Sequence, residues 1–91
     1  MYRFKYKKGI PLPYNRQGYV YFVSKNYRQL PPQRRRMIDR LIEQIGGSFA
    51  EALRAYILGQ ANYTAIEAKY HCSASQLYRL VKEYYLKFPL E

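Results

Sequence analysis

A row of polar and basic side chains near the end of the sequence has the chemistry needed to read DNA. Apolar residues recur there at the spacing of one helical face, at positions 77, 80, 81, 84 and 88. This pattern predicts a helix over residues 74–88 with a polar outward face. We expect four outward residues to contact base edges, namely Ser75, Gln76, Tyr78 and Arg79. A fifth outward residue, Lys82, is expected to contact a phosphate. The alternative is a helix packed on its neighbours whose polar face is only solvated.

A second, shorter helix and a tight turn are predicted just before these residues. Ile66 and Tyr70 are four positions apart, so they lie on one face of a helix. Ser73 is a favourable N-cap residue, and Gln76 follows it at the spacing of a capping box. Two apolar faces of this kind must pack together. The segment is therefore predicted to fold as helix, turn and helix.

Residues 63–84 resemble the helix-turn-helix of bacterial regulators and of transposase-type or resolvase-type DNA-binding domains. In that family an apolar-Ala-x-x-aromatic-Gly-apolar-Ser run precedes a Leu-Tyr-Arg-Leu recognition helix, and here the chain reads IEAKYHCS and then LYRL. Glu67 replaces the usual Ala, and we expect it to form a capping box with Thr64. His71 replaces the usual Gly, and we expect it to adopt the left-handed conformation. The resemblance implies a tri-helical domain and double-stranded DNA as partner.

The positive charge of the chain is concentrated in its first part. Residues 1–36 hold ten basic residues and no acidic one, whereas residues 37–91 hold six of each, so the net charge of +10 arises entirely from the first part. Such a split indicates a surface that binds a polyanion. The phosphate-binding residues predicted here, besides Lys82, are Lys5, Lys7, Lys8, Arg34, Arg35 and Arg36. An anionic membrane is disfavoured as partner, because the basic residues do not follow one side of a long amphipathic helix.

The basic section is also rich in tyrosine, and two short runs in it have β-strand composition. Residues 3–7 alternate aromatic and basic side chains, and residues 18–23 read GYVYFV. Gly and Pro between them predict a loop over residues 8–17. The expected structure of residues 1–30 is a β-ribbon ending in a short turn, with an extended arm as the alternative. Most of the tyrosines are expected to pack, although some could stack on bases.

A helical domain is predicted for residues 31–91, within one structural domain overall. Pro31-Pro32 and Gly46-Gly47 bracket a helix over residues 32–45, and Ser48 with Glu51 forms a capping-box pattern at the start of a helix over residues 48–58. The expected fold is therefore mainly α, with a tri-helical core, a buttressing helix and the N-terminal ribbon or arm.

Catalysis and metal binding are not indicated. His71 and Cys72 are the only His and Cys residues, which is too few for a zinc site, and no phosphate loop or catalytic set is recognisable. Cys72 is expected to fill an apolar position in the turn. We therefore predict a protein that is not an enzyme and has no cofactor. One cysteine and no apolar run of the ~20 residues that span a bilayer favour the bacterial cytoplasm.

Three functions remain open from the sequence. The first is DNA binding, as a transcription regulator or as an accessory factor of a mobile genetic element in a relaxosome or excision complex, since the whole chain loosely resembles small proteins of Gram-positive conjugative elements and prophages. The second is RNA binding or shape reading through the tyrosine-rich basic section. The third is a protein-interaction adaptor. The sequence is also compatible with a homodimer or a larger protein-DNA complex.

Overall fold

The computed structural model of this protein describes residues 6–59 and 62–89, and these residues are mainly helical. None of them belongs to a β-strand. Two 3₁₀ turns, at Tyr27–Gln29 and Gly47–Phe49, connect the first three helices. The helices are α1 Tyr14–Lys25, α2 Pro32–Gly46, α3 Ala50–Ile57, α4 Tyr63–Tyr70 and α5 Ala74–Lys87. The prediction of a mainly α fold is confirmed.

The strand predicted over residues 18–23 is wrong, because these residues form the middle of α1. The buried residues of α1 are Gln17, Val20 and Ser24, which are spaced by three and four as on one helical face. Pro13 precedes the helix in an extended conformation, so the chain can enter α1 directly after it. Aromatic and β-branched residues favour strands only weakly, and the packing of one helical face overrides that preference here.

The segment before α1 is wound around one buried side chain. The side-chain oxygen of Gln17 accepts a hydrogen bond from the Lys7 backbone N–H at 2.9 Å, and its nitrogen donates to the Lys7, Ile10 and Leu12 carbonyls at 3.0–3.1 Å. Ile10 is completely buried. The described part of the segment is therefore neither a ribbon nor an extended arm. Most of the strand predicted over residues 3–7 lies outside the described residues.

Helix α2 confirms the helix predicted over residues 32–45. It begins with Pro32 in its first turn and ends before Gly47, whose φ of +54° is in the region that glycine tolerates best. The next helix begins later than predicted. Ser48 lies inside the 3₁₀ turn that leads into α3, and no side chain caps α3. The predicted capping box of Ser48 and Glu51 is therefore wrong, because an N-cap residue needs an extended backbone.

One hydrophobic core unites the two parts of the chain. Helix α2 packs on α3 and α5, α3 packs on α1, α4 and α5, and α4 packs on α5. Completely buried apolar side chains come from all these helices and from the segment before α1, among them Ile10, Val20, Ile38, Ile42, Leu53, Ile66, Leu77 and Val81. The division predicted at residue 30 therefore does not separate two cores.

Polar contacts join the end of α1 and the following turn to the other helices. The Ser24 and Tyr84 hydroxyls are 2.9 Å apart, and burial raises the pKa of Tyr84 to about 12, so this phenol stays neutral. The Tyr27 hydroxyl donates to the Asp39 carboxylate at 2.8 Å, and Arg54 pairs with the same carboxylate at 3.0 Å. These contacts hold α1 close to α2, α3 and α5.

Within residues 6–59 and 62–89, no helix has the length and apolar character required to cross a membrane.

Candidate nucleic-acid interface

Helices α4 and α5 form two capped helices separated by three residues. Asn62 is the N-cap of α4, and its side-chain oxygen accepts a hydrogen bond from the Ala65 N–H at 2.9 Å. Thr64 consequently lies within α4, so the expected capping box of Thr64 with Glu67 is wrong. The cap lies two residues earlier than the sequence pattern suggested, because Asn is as good an N-cap as Thr or better.

The turn between α4 and α5 has the conformation that the sequence predicts. His71 adopts φ +57° and ψ +35°, the left-handed conformation, and its N–H donates to the Glu67 carbonyl. Cys72 is completely buried, and burial raises the pKa of its thiol, which favours an inert packing role. Ser73 and Gln76 form the predicted capping box at the start of α5. The turn is therefore fixed by local hydrogen bonds and by one buried side chain.

The four predicted base-reading residues separate into two exposed residues and two held residues. Ser75 and Arg79 are exposed on the outer face of α5. Gln76 is partly buried, and its side-chain oxygen accepts hydrogen bonds from the Ser73 N–H and hydroxyl at 3.2 Å. Tyr78 is partly buried against the segment that precedes α1. Ser75 and Arg79 are thus better placed than the other two to reach a ligand.

The contact between Tyr78 and Gly9 was not predicted from the sequence. A Cβ atom on Gly9 would overlap with the Tyr78 hydroxyl, so a larger residue at this position would require the Tyr78 side chain to shift. The segment that Gln17 holds in place is thereby fixed beside the first half of α5. Lys8, next to Gly9, is exposed there. A glycine directly after two lysines was the only sequence signal of this contact, and it indicates a loop equally well.

The outer face of α5 is bordered on its other side by the turn before α3. Phe49 from that turn lines a shallow groove together with Gln76, Arg79, Leu80 and Glu83. Lys82, one helical turn beyond Arg79, is partly buried, and Glu83 pairs with Lys87 at 2.9 Å. The exposed Ser75 and Arg79 and the partly buried Lys82 therefore lie between two structural borders.

The remaining predicted phosphate-binding residues are distributed over three places. Lys5 lies outside the described residues. The Lys7 ammonium donates to the Tyr56 hydroxyl at 3.0 Å, between α1 and α3, and is separate from the outer face of α5. Arg34 donates to the Tyr19 hydroxyl at 3.0 Å, and the Tyr19 ring contacts Phe88 at a centroid distance of 6.1 Å. This chain of contacts places Arg34 toward the C-terminal end of α5.

The three consecutive arginines differ in their surroundings. Arg35 donates to the Leu30 carbonyl at 2.6 Å, and Arg34 is held by Tyr19 as described, whereas Arg36 is exposed. Both ion pairs between described residues join residues after position 36, Asp39 with Arg54 and Glu83 with Lys87. Neither of them neutralises the basic section. The described part of that section therefore keeps its excess of positive charge.

No group of three His, Cys, Asp or Glu side chains in the described residues is arranged to hold a metal ion. Comparisons with protein-family models, with curated proteins and with solved structures give no match for this chain. The interpretation of the interface therefore depends on its residues and their geometry.

Proposed function

We propose that this protein binds double-stranded DNA and inserts α5 into the major groove. The observation that carries the proposal is the outer face of α5, where Ser75 and Arg79 are exposed immediately after a tight, capped turn. An exposed arginine near the start of such a helix can donate two hydrogen bonds to guanine, and a serine can bond to several base edges. The tri-helical arrangement that the sequence resemblance implies would consist of α3, α4 and α5.

In this proposal three basic side chains outside the pair of reading residues position the DNA backbone. Lys8 lies on the loop that Gly9 and Tyr78 hold against α5, and Lys82 follows Arg79 along the helix. Arg36 is the arginine of the three-residue run with an exposed side chain. In this proposal these residues contact phosphates and contribute affinity that depends on salt, whereas Ser75 and Arg79 contribute base preference.

The proposed biological role is that of a small regulator or an accessory factor on a bacterial mobile element. A protein with one reading helix and a strong positive charge can repress or activate a promoter, or bend and organise DNA in a relaxosome or excision complex. The support for this role is the sequence resemblance together with the exposed basic surface. DNA sites recovered by selection would indicate which of these roles applies.

The test is selection of bound duplexes from a random pool, followed by anisotropy titrations of the enriched duplex and a scrambled duplex at two salt concentrations. We expect the preference for the enriched sequence to persist at the higher salt concentration, because base contacts do not depend on counterion release. Affinity that is equal for both duplexes and vanishes with salt would refute reading by α5. If the protein shows only weak, salt-sensitive attraction to nucleic acid, the adaptor function is favoured.

A second candidate, single-stranded DNA or RNA binding, is supported by exposed aromatic rings in the N-terminal part. Tyr6 and Tyr14 are 46% and 62% exposed, and their centroids are 6.4 Å apart. Exposed rings next to lysines can stack on unpaired bases. A point variant is the appropriate test, because deletion of the N-terminal part would remove the core residues Ile10 and Val20. The variant Tyr14→Ala should weaken single-strand binding under this candidate and leave duplex binding unchanged under the first.

A further inference from the structure

A pocket of about 410 Å³ lies between α1 and α3, away from the outer face of α5. Its lining includes two lysines, Lys7 and Lys25, and three aromatic rings, those of Tyr21, Tyr56 and Tyr85. None of the described residues that line it is acidic. A concave site with two cationic groups and no carboxylate among its described lining residues favours an anionic ligand.

Each ammonium group in the pocket is positioned by contacts of its own. Lys7 donates to the Tyr56 hydroxyl at 3.0 Å, and its ammonium lies 5.5 Å from the centroid of the same ring. The Lys25 ammonium lies 5.1 Å from the Tyr21 centroid and so close to Gly59 that a Cβ atom there would overlap with it. Because Gly59 follows the C-terminal end of α3, the carbonyl end of that helix also favours a cation at this place.

The aromatic walls favour a ligand that has a flat ring as well as a negative charge. Tyr56 packs against Tyr63 with centroids 4.7 Å apart and the rings tilted by 38°, which restricts the ring that Lys7 contacts. Tyr85 is almost completely buried, and burial raises the pKa of its phenol, so the hydroxyl stays protonated as a hydrogen-bond donor. Aromatic rings beside cations are the walls that stack bases and hold phosphates in nucleotide-binding sites.

The size of the pocket excludes a simple anion as its full occupant. Its volume of about 410 Å³ is within the range of small-ligand sites. The pocket volume is more than ten times the ~30 Å³ that one water molecule occupies in the liquid. An inorganic phosphate has only five heavy atoms, so it would leave most of the pocket filled with water. A base, a sugar and one phosphate together would make better use of the rings and of both lysines.

We propose that this pocket binds a nucleoside 5′-monophosphate unit, with the phosphate held by Lys7 and Lys25 and the base placed against the tyrosine rings. The unit can be a free mononucleotide or the phosphorylated 5′ end of a single strand, because both present the same chemistry. Binding here does not depend on duplex reading by α5. The protein would then have two separate nucleic-acid sites, one for sequence and one for a nucleotide or strand end.

The test is calorimetric titration of the intact protein with the four mononucleotides, adenosine and inorganic phosphate. We expect at least one mononucleotide to bind tenfold or more tightly than either adenosine or inorganic phosphate. The variants Lys7→Gln and Lys25→Gln should each weaken that binding at least fivefold. The matched control is Lys69→Gln, which removes the same charge from an exposed position on α4 outside the pocket and should change binding less than twofold.

Single-stranded oligonucleotides with and without a 5′ phosphate distinguish the two sources. Preference for the phosphorylated oligonucleotide over mononucleotides, lost in Lys25→Gln, would identify a strand end; tighter binding of mononucleotides would identify the free nucleotide. Inorganic phosphate binding as tightly as mononucleotides, no binding at all, or binding that neither pocket variant changes would each overturn the proposal. Arg79→Ala should leave mononucleotide binding intact, so failure of duplex reading and failure of this pocket are separable outcomes.

Discussion

Helix α5, which carries the proposed DNA-reading face, and the loop that borders this face at Gly9 are held in place by different forces. Helix α5 is fixed by an apolar face with Leu77 and Val81 completely buried and by a cap at its start. The loop beside it has one buried apolar side chain, Ile10, and is held by hydrogen bonds to a single glutamine, Gln17. Burial of apolar area is distributed over many contacts, whereas a polar anchor concentrates stability in one residue.

The difference implies that substitutions affect the two regions in different ways. Loss of an α5 core residue should lower the stability of the whole domain. Loss of the glutamine should loosen the loop, and with it the position of Lys8, while most of the core persists. Five variants test the stability of these two regions and the proposed DNA contacts, beginning with the largest expected effect.

Leu77→Ala should give the largest loss of stability. Leu77 is completely buried among helices of the core, and a buried Leu→Ala change costs about 2–5 kcal/mol through lost burial and a residual cavity. Denaturant unfolding followed by circular dichroism measures the change. Leu86→Ala is the matched control, because Leu86 is 44% exposed on the same helix, and its effect should stay within about 0.5 kcal/mol. Equal effects of the two variants would contradict the burial pattern of α5.

Gln17→Ala should cost about 1–3 kcal/mol, because the backbone groups of residues 7–12 would lose their partner in a buried place. Amide hydrogen exchange should accelerate in that segment more than in α5. Gln33→Ala, at an exposed position of α2, is the control and should have little effect. Equal acceleration of amide hydrogen exchange over the whole chain would mean that the loop and the helices unfold together. That result would contradict a loop held separately by Gln17.

Arg79→Ala should cost about 1–3 kcal/mol of binding free energy on the selected DNA site and relax the preference at one base position. Arg40→Ala removes another exposed arginine, on α2 and outside the proposed reading face, and serves as control. Anisotropy titrations with the selected and scrambled duplexes measure both effects. Unchanged sequence preference in Arg79→Ala would show that α5 does not read bases through this residue.

Ser73→Ala should destabilise the domain by about 1 kcal/mol, because the Gln76 N–H loses its cap at the start of α5. Ser48→Ala is an informative control, since the same sequence pattern occurs there without a capping bond in the structure. Thermal unfolding of both variants compares the two sites directly. A comparable loss in Ser48→Ala would mean that this serine does act as a cap in solution.

Arg36→Ala should have the smallest effect, a loss of affinity of a few fold that is similar for all duplexes. Loss of one phosphate contact should reduce the slope of log affinity against log salt by about 1. Titrations of a scrambled duplex at several salt concentrations measure the slope. A change in sequence preference would be inconsistent with a phosphate contact at this exposed arginine.

Local signals in the sequence predicted the second half of the fold well. The start of α5 at Ser73, the left-handed His71 and the glycines after α2 and α3 all involve hydrogen bonds or backbone angles within a few residues. Such features depend on short-range interactions, so residue type and spacing are sufficient to identify them. The misplaced caps at Ser48 and Thr64 mark the limit, because a helix start can shift by a residue or two when another cap or turn competes.

The candidate site was only partly predictable for the same reason. Exposure of Ser75 and Arg79 follows from helical periodicity, which a sequence records. The contact of Tyr78 with Gly9 joins residues that are distant along the chain. Lys7 and Lys8 are adjacent in the sequence but have different neighbours in the structure. The pocket between α1 and α3 was not anticipated at all, because its lining comes from four separate parts of the sequence.

The sequence by itself determined the helical second half, the capped turn and the excess positive charge of the first part, since all three depend on residue type and local spacing. The tertiary structure decided that the GYVYFV run is a helix, that Gln17 organises the loop before it, and that Lys7 and Lys25 share an aromatic pocket. These outcomes depend on which surfaces bury each other, and the free energy of burial becomes available only when distant segments meet.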